Sequence, residues 1–198
     1  MKLFNNLLLL IIIVFSSYTL KNNMQKVKDY FSISTVQYNK SMYQLSWSAH
    51  PSDTYYKQEY LSAGEKSDKY THMIMIEAVV GNISLKDAVG GKINELEQRK
   101  KSDPVANYQV IENKTTGEYL LDFVISQSSG SAGDVTEWNT YRYSNLKDKS
   151  GKKGIQLFAY SKRGYGAATT TFLKNLKTER PKDINIFAAY KAPEVTIK

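Results

Sequence analysis

Apolar and polar positions alternate along most of this chain, and twice the alternation gives way to a helical period. "ISTVQY" (33–38) and "YQLSWS" (43–48) read as short strands around the turn "NKSM", and the Pro-containing cluster "HPSDT" (50–54) reads as a second turn. Tyr55 to Ser62 and Thr71 to Val80 read as two more strands, joined by the polar turn "AGEKSDK". In the second of these His72, Ile74, Ile76, Ala78 and Val80 share one face, and Met73, Met75 and Val79 share the other. Both faces are therefore expected to be covered.

The first helical period is "NISLKDAVGGKINELEQRKKSD" (82–103), where Leu85, Val89, Ile93 and Leu96 form a stripe. Ser84 is placed to cap the helix and Asp87 lies near the positive end of its dipole. Pro104 follows the end of the period. Gly90 and Gly91 inside it cost roughly 1 kcal/mol each against Ala, and are expected to allow close helix–sheet contact. Four strands follow at 108–113, 118–126, 137–144 and 154–162, with "QSSGSAGDV" (127–135) as a flexible tip and "NLKDKSGKK" (145–153) as a basic loop. Short polar connections predict an antiparallel meander. "AATTTFLKNLKTER" (167–180) reads as a second helix with Phe172, Leu173 and Leu176 on its apolar face, ended by Pro181. "DINIFAAYKAPEVTIK" (183–198) is ambiguous between helix and strand, and residues 181–198 stand as a C-terminal extension. The predicted class is α+β, an antiparallel β-sheet with helices packed on it.

The beginning of the chain has a different character. Lys2, the unbroken apolar run "LLLLIIIVF" (7–15) and the small residues after it are the parts of a secretory signal peptide. Cleavage fits after Ser16 or after Thr19. A transmembrane helix needs about 20 apolar residues, twice this run, so an uncleaved anchor is the lesser alternative. The expected organisation is a signal peptide at 1–19 and one α+β domain at 20–198, with residues 20–32 as a polar, basic lead-in.

Composition narrows the chemistry. No cysteine is present, which excludes thiol catalysis, cysteine metal sites and a lipid anchor on cysteine. Tyr accounts for 15 residues, a type suited to half-buried sheet faces. The net charge is +8, and loss of Lys2 with the signal peptide leaves +7. That excess suits peripheral contact with an anionic envelope surface, and equally plain solubility.

The element order resembles the PsbP/DcrB-like family of small exported α/β/α sandwich domains. The strand "THMIMIEAV", the helix "SLKDAVGGKINELEQ", the meander "EYLLDFVIS", "EWNTYRYS", "GIQLFAYSK" and the closing "TTTFLKNLK" carry the resemblance, over roughly residues 33–180. It implies a non-enzymatic accessory or binding role, in some cases in membrane-associated assemblies. It transfers no catalytic residue, and the chain after Pro181 departs from it.

Motif by motif, the recognised chemistries fall away. "KRGYG" (162–166) begins like the RNA-binding signature of the RNA-recognition motif, but Ala167, Ala168 and Thr170 replace the residues that complete it, so no nucleic-acid partner is expected. Its two glycines read instead as a strand-to-helix corner with Tyr165 packed at it. "VGGKI" lacks the remaining positions of a phosphate loop, and "GSAG" (130–133) lacks the spacing of a hydrolase nucleophile turn. His50 and His72 are isolated and read as structural, so no metal and no cofactor is expected, with a carboxylate calcium site left open. Glu118 and Asp122 share a strand face about 13 Å apart, too far for a glycosidase pair, and read as solvated. The candidate ligand-binding residues are Trp138, Tyr141, Tyr143, Phe158 and Tyr160, on two neighbouring strands, with Arg163 at the rim. Tyr141 and Tyr143 share a face, as do Phe158 and Tyr160, while Arg142 joins Trp138 on the opposite side. Such a ladder forms either a platform for glycans or a hydrophobic ligand, or sheet packing under a helix, the commoner case. The expectation is an exported, non-enzymatic accessory or binding protein of the bacterial envelope, whose partner or ligand the sequence leaves unknown. A glycan-binding module and an enzyme with a scattered site are the alternatives.

Overall fold

A computed structural model describes residues 27–128 and 134–198; the signal-peptide reading at 1–19 and the centre of the loop at 127–135 lie outside them. The strands are β1 (Thr35–Tyr38), β2 (Ser41–Ser52), β3 (Tyr55–Leu61), β4 (His72–Val80), β5 (Asn107–Glu112), β6 (Tyr119–Ser128), β7 (Asp134–Asn145) and β8 (Gly154–Tyr165). The helices are α1 (Leu85–Arg99) and α2 (Thr169–Ala189). All eight strands form one antiparallel sheet in the order β1-β2-β3-β4-β8-β7-β6-β5. The α+β class is as expected. The chain builds one meander, crosses through α1 to the far edge, and returns strand by strand until β8 closes against β4.

Strand alternation sorts the core into two clusters. Ile74, Ile76, Ala78, Trp138, Phe158 and Tyr160 gather with Leu176 and Phe187 of α2. Met75, Leu121, Phe123, Tyr143, Leu157 and Ala159 gather with Val89 and Leu96 of α1. These sets are alternate residues of the same strands, so each helix covers one face of the sheet. The face assignment for β4 is as expected. Ser84 caps α1, its hydroxyl accepting from the Asp87 amide at 3.0 Å.

Several boundaries differ from expectation. The cluster at 50–54 is mostly strand: β2 runs through His50 and Pro51, where the short β1 no longer pairs with it and a register shift absorbs the missing N–H. α2 does not stop at Pro181 but continues to Ala189. Its last turn buries Phe187, and Arg142 of β7 donates to the carbonyls of Phe187, Ala188 and Tyr190, closing the helix end that proline weakens. Nothing lies within 4 Å of a Cβ placed on Gly90 or Gly91, so no close helix–sheet contact requires them.

The end of the lead-in and the tail each contribute to the core. Phe31, Val195 and Ile197 are buried in the cluster beneath α2. The amides of Thr196 and Lys198 donate to the carbonyls of Phe31 and Tyr30, and the buried Gln58 side chain accepts from the Tyr30 and Phe31 amides.

Candidate functional site

The aromatic ladder divides between the two faces. Trp138, Phe158 and Tyr160 are buried beneath α2, where Phe158 stacks on Phe187 at 5.5 Å and Tyr160 lies 4.8 Å from Tyr38. They are core, so the reading of sheet packing under a helix describes them and an exposed platform does not. Arg142 shares their face, as expected. Tyr141 and Tyr143 lie on the other face beside α1, half-buried and buried respectively. Arg163 ion-pairs with Glu137, and its guanidinium sits 4.0 Å from the centre of the Tyr70 ring.

Beside Tyr141 and Tyr143 lies a feature that the sequence reading did not single out. Register places Trp47, Glu59, Met75, Ala159 and Tyr141 in one row across five strands, and Ala49, Lys57, Glu77, Leu157 and Tyr143 in the next. α1 lies over β6 and β7 on this face, and the β2–β3 part carries no helix. We call this strip of sheet beside α1 the trough. Met75, Leu157 and Ala159 are buried within it, Tyr141 lies near Lys92 of α1 on one side, and Lys57, Glu59 and the exposed Trp47 lie on the other. Trp47 is 40% exposed, unlike the fully buried Trp138.

The charges of the trough are paired. Lys57 Nζ lies 3.2 Å from Glu59 and 3.7 Å from Glu77. Burial works against its ammonium, and Glu77 and Glu59 more than offset that, so its pKa stands above the ordinary lysine value. Burial, reinforced by nearby carboxylates, raises the hydroxyls of Tyr55, Tyr141 and Tyr143. These phenols stay protonated and keep their donor hydrogens. An exposed indole, fixed donors and carboxylate acceptors can hold a ligand by stacking and hydrogen bonding. The alternation in "YYKQEYL" puts Lys57 and Glu59 on one face, but only the strand order brings them opposite Glu77 and Trp47.

Two clefts flank the first half of α2. One, of about 200 Å³, is lined by Asp122, Trp138, Leu176 and Arg180 among others. The second, of about 160 Å³, is lined by His72, Lys162, Arg163, Phe172 and Glu179 among others. Both fall below the roughly 300 Å³ of typical small-molecule pockets. Asp122 corrects the solvated reading given above: it is 1% exposed and bound by Arg180 and Trp138. Leu120 shares its face and joins the cluster beneath α2. Burial, then the neighbouring Lys162, lowers the pKa of His72, so its ring stays neutral at pH 7. His50 stacks on Tyr56 at 4.1 Å, as a structural histidine does. Among the described residues, no three His, Asp or Glu side chains gather as a metal site, and no helix is long and apolar enough to cross a membrane.

The strand-to-helix corner is present, but Gly166 alone makes it: Lys162 to Tyr165 are strand, which corrects the assignment of Gly164 to the corner. Arg163 pairs with Glu137, Gly164 with Thr136 and Tyr165 with Val135. The turn begins at Gly166, whose φ of +52° is the left-handed conformation that glycine adopts readily. Gly164 is required by closeness: a Cβ there would lie 2.6 Å from that of Phe172 on α2. The Tyr165 hydroxyl bonds the Tyr70 backbone, tying β8 to the β3–β4 loop.

A family model, described as a family and by no activity, matches residues 32–192, and the chain belongs to that family. No curated protein and no solved structure matches it.

Proposed function

We propose that this chain is an exported, non-enzymatic accessory or binding protein of the bacterial envelope, and that it engages its partner through the trough beside α1. The observation that carries the binding part is the exposure of Trp47 next to the ion-paired Lys57, on a sheet face that α1 leaves without a helix. Large apolar side chains at such a position commonly serve recognition. Export is supported by the apolar run at 7–15 with small residues after it. An antiparallel sheet with a helix on each face supports the finer PsbP/DcrB-like reading.

Two measurements test the proposal. Cell fractionation with N-terminal sequencing is expected to find the mature chain outside the cytoplasm, beginning at Ser17 or Leu20. Full-length chain confined to the cytoplasm would overturn export. A photo-crosslinking residue in place of Trp47 is expected to give a defined adduct in envelope preparations, whereas the same residue in place of Lys174, exposed on α2, gives none. Equal labelling from both positions would remove the trough from consideration.

A further inference from the structure

We propose that the end of the molecule where the β7–β8 loop, the chain's entry at Val27 and the C-terminal tail meet is a docking surface for anionic lipid headgroups. The proposal deepens the envelope reading and rests on it, and it assigns the surface that would face the membrane.

The three segments are joined by hydrogen bonds. Asp148 of the loop forms a bridge with Val195 of the tail, and the Lys149 amide donates to the Val195 carbonyl. The tail in turn bonds Tyr30 and Phe31. Residues 147–153, "KDKSGKK", carry four lysines and one acid. That acid is turned inward: the Asp148 carboxylate accepts from the Ile197 and Lys152 amides, each at 3.0 Å, and from the Ser150 hydroxyl. The loop is thereby held in shape while Lys147, Lys149, Lys152 and Lys153 stay exposed.

Lys28 and Lys198, also exposed, lie on the adjoining segments. Among the described residues none of these six lysines takes part in an ion pair, whereas Lys57, Lys92 and Lys162 elsewhere do. The exposed acids of this end are Asp53 and Glu194, and Asp29 is occupied by the Phe31 and Ile33 amides.

The lysines stand beside aromatic rings. Tyr30, His50 and Tyr56 cluster at this end, with Tyr30 5.6 Å from His50 and 5.8 Å from Tyr56. Lys28 Nζ lies 4.7 Å from the Tyr30 ring centre and Lys152 Nζ 5.9 Å from that of Tyr56. Tyrosine rings with lysines around them suit the headgroup zone of a bilayer, where the ring sits at the boundary and ammonium groups meet phosphates. The lysines come from three chain segments and flank rings instead of lining a groove, which fits a plane better than a threaded polymer.

Vesicle sedimentation of the chain from residue 20 to 198 tests this, with phosphatidylcholine alone against an equal mixture with phosphatidylglycerol. Binding is expected to the anionic vesicles alone and to weaken with added salt. Lys147→Ser, Lys149→Ser, Lys152→Ser and Lys153→Ser together are expected to reduce partitioning about a thousandfold. Serine at Lys66, Lys69, Lys101 and Lys174, exposed away from this end, removes the same charge and is expected to leave most binding intact. Circular dichroism and thermal melting check that both variants keep the fold. The inference is overturned if the parent ignores anionic vesicles, if the two variants lose binding equally, or if the parent binds soluble sulfated polysaccharide but not vesicles. An exported chain that ignores vesicles would sink this inference alone. A cytoplasmic chain whose loop lysines are needed for vesicle binding would sink export alone.

Discussion

Arg180 of α2 holds a carboxylate that the sheet has taken out of water. Its Nε and a terminal nitrogen both donate to Oδ2 of Asp122, and Oδ1 of the same group accepts from Trp138 Nε1 at 2.5 Å. Asp122→Ala leaves the buried Trp138 indole N–H without its acceptor and the Arg180 guanidinium with Gln109 alone. The expected loss is about 3 kcal/mol, the order seen when one partner of a buried pair is removed. Urea unfolding followed by Trp fluorescence measures it. A loss under about 0.5 kcal/mol, the scale of an exposed ion pair, would refute this account.

Pro181 interrupts the hydrogen bonding of a helix that tertiary contacts carry past it. Pro181→Ala restores a backbone donor at an exposed position, so it is expected to raise stability by roughly 1–3 kcal/mol. An unchanged or lower melting temperature would show that the proline is preferred there for another reason.

Glycine substitutions should separate by surroundings. Gly90→Ala and Gly91→Ala place a methyl in open space on α1, and each is expected to stabilise by about 1 kcal/mol. Gly164→Ala drives a methyl into Phe172 and is expected to destabilise by roughly 1–3 kcal/mol. Opposite signs in thermal melts are the expected result, and a shared sign would contradict the packing described.

Acid should loosen the end that Asp148 organises. Burial opposes its ionisation, but the Ser150 hydroxyl and the Ile197 and Lys152 amides outweigh it, and the pKa falls from the ordinary 3.8 to about 2. A depressed folded-state value contributes stability that is complete above the unfolded pKa and is lost as pH falls through the folded one. The window is therefore from near pH 4 down to about 2. Asp103 acts in the same direction: burial opposes ionisation, and bonds from Ser126, Arg99 and Val105 lower its pKa. Asp148→Asn is expected to be less stable than the parent at neutral pH and to lose stability less steeply over that window. Parallel acid curves for the two proteins would exclude the linkage.

Local period made much of this fold readable. The strand "THMIMIEAV" buries both faces as its composition requires, and Ser84 with the stripe from Leu85 to Leu96 marks α1. Forces acting across the chain were not readable. Phe187 and Arg142 decide where α2 ends, and no local signal outweighs Pro181. Phe31 sits at the end of a polar, basic stretch, and Val195 and Ile197 alternate over only three residues, too short a period to mark them as core. Asp122 looked solvated because its partner lies 58 residues away on another element. The trough was hidden for the same reason, since Trp47, Lys57 and Glu77 meet only once three strands are in register.

The seam between β4 and β8 has a consequence for when this protein can exist as a folded object. β1 to β4 and β5 to β8 are each joined by neighbouring hairpins, but within the sheet the two halves pair along β4 and β8, where Ile74 faces Tyr160 across a span that includes α1 and three strands. Both helices need that seam, because α1 and α2 each rest on residues contributed from both sides of it. The sheet is therefore completed only by its last strand, and closure of so long a loop makes folding slow. For the exported chain proposed above, the seam leaves the sheet incomplete until β8 has followed the rest of the chain.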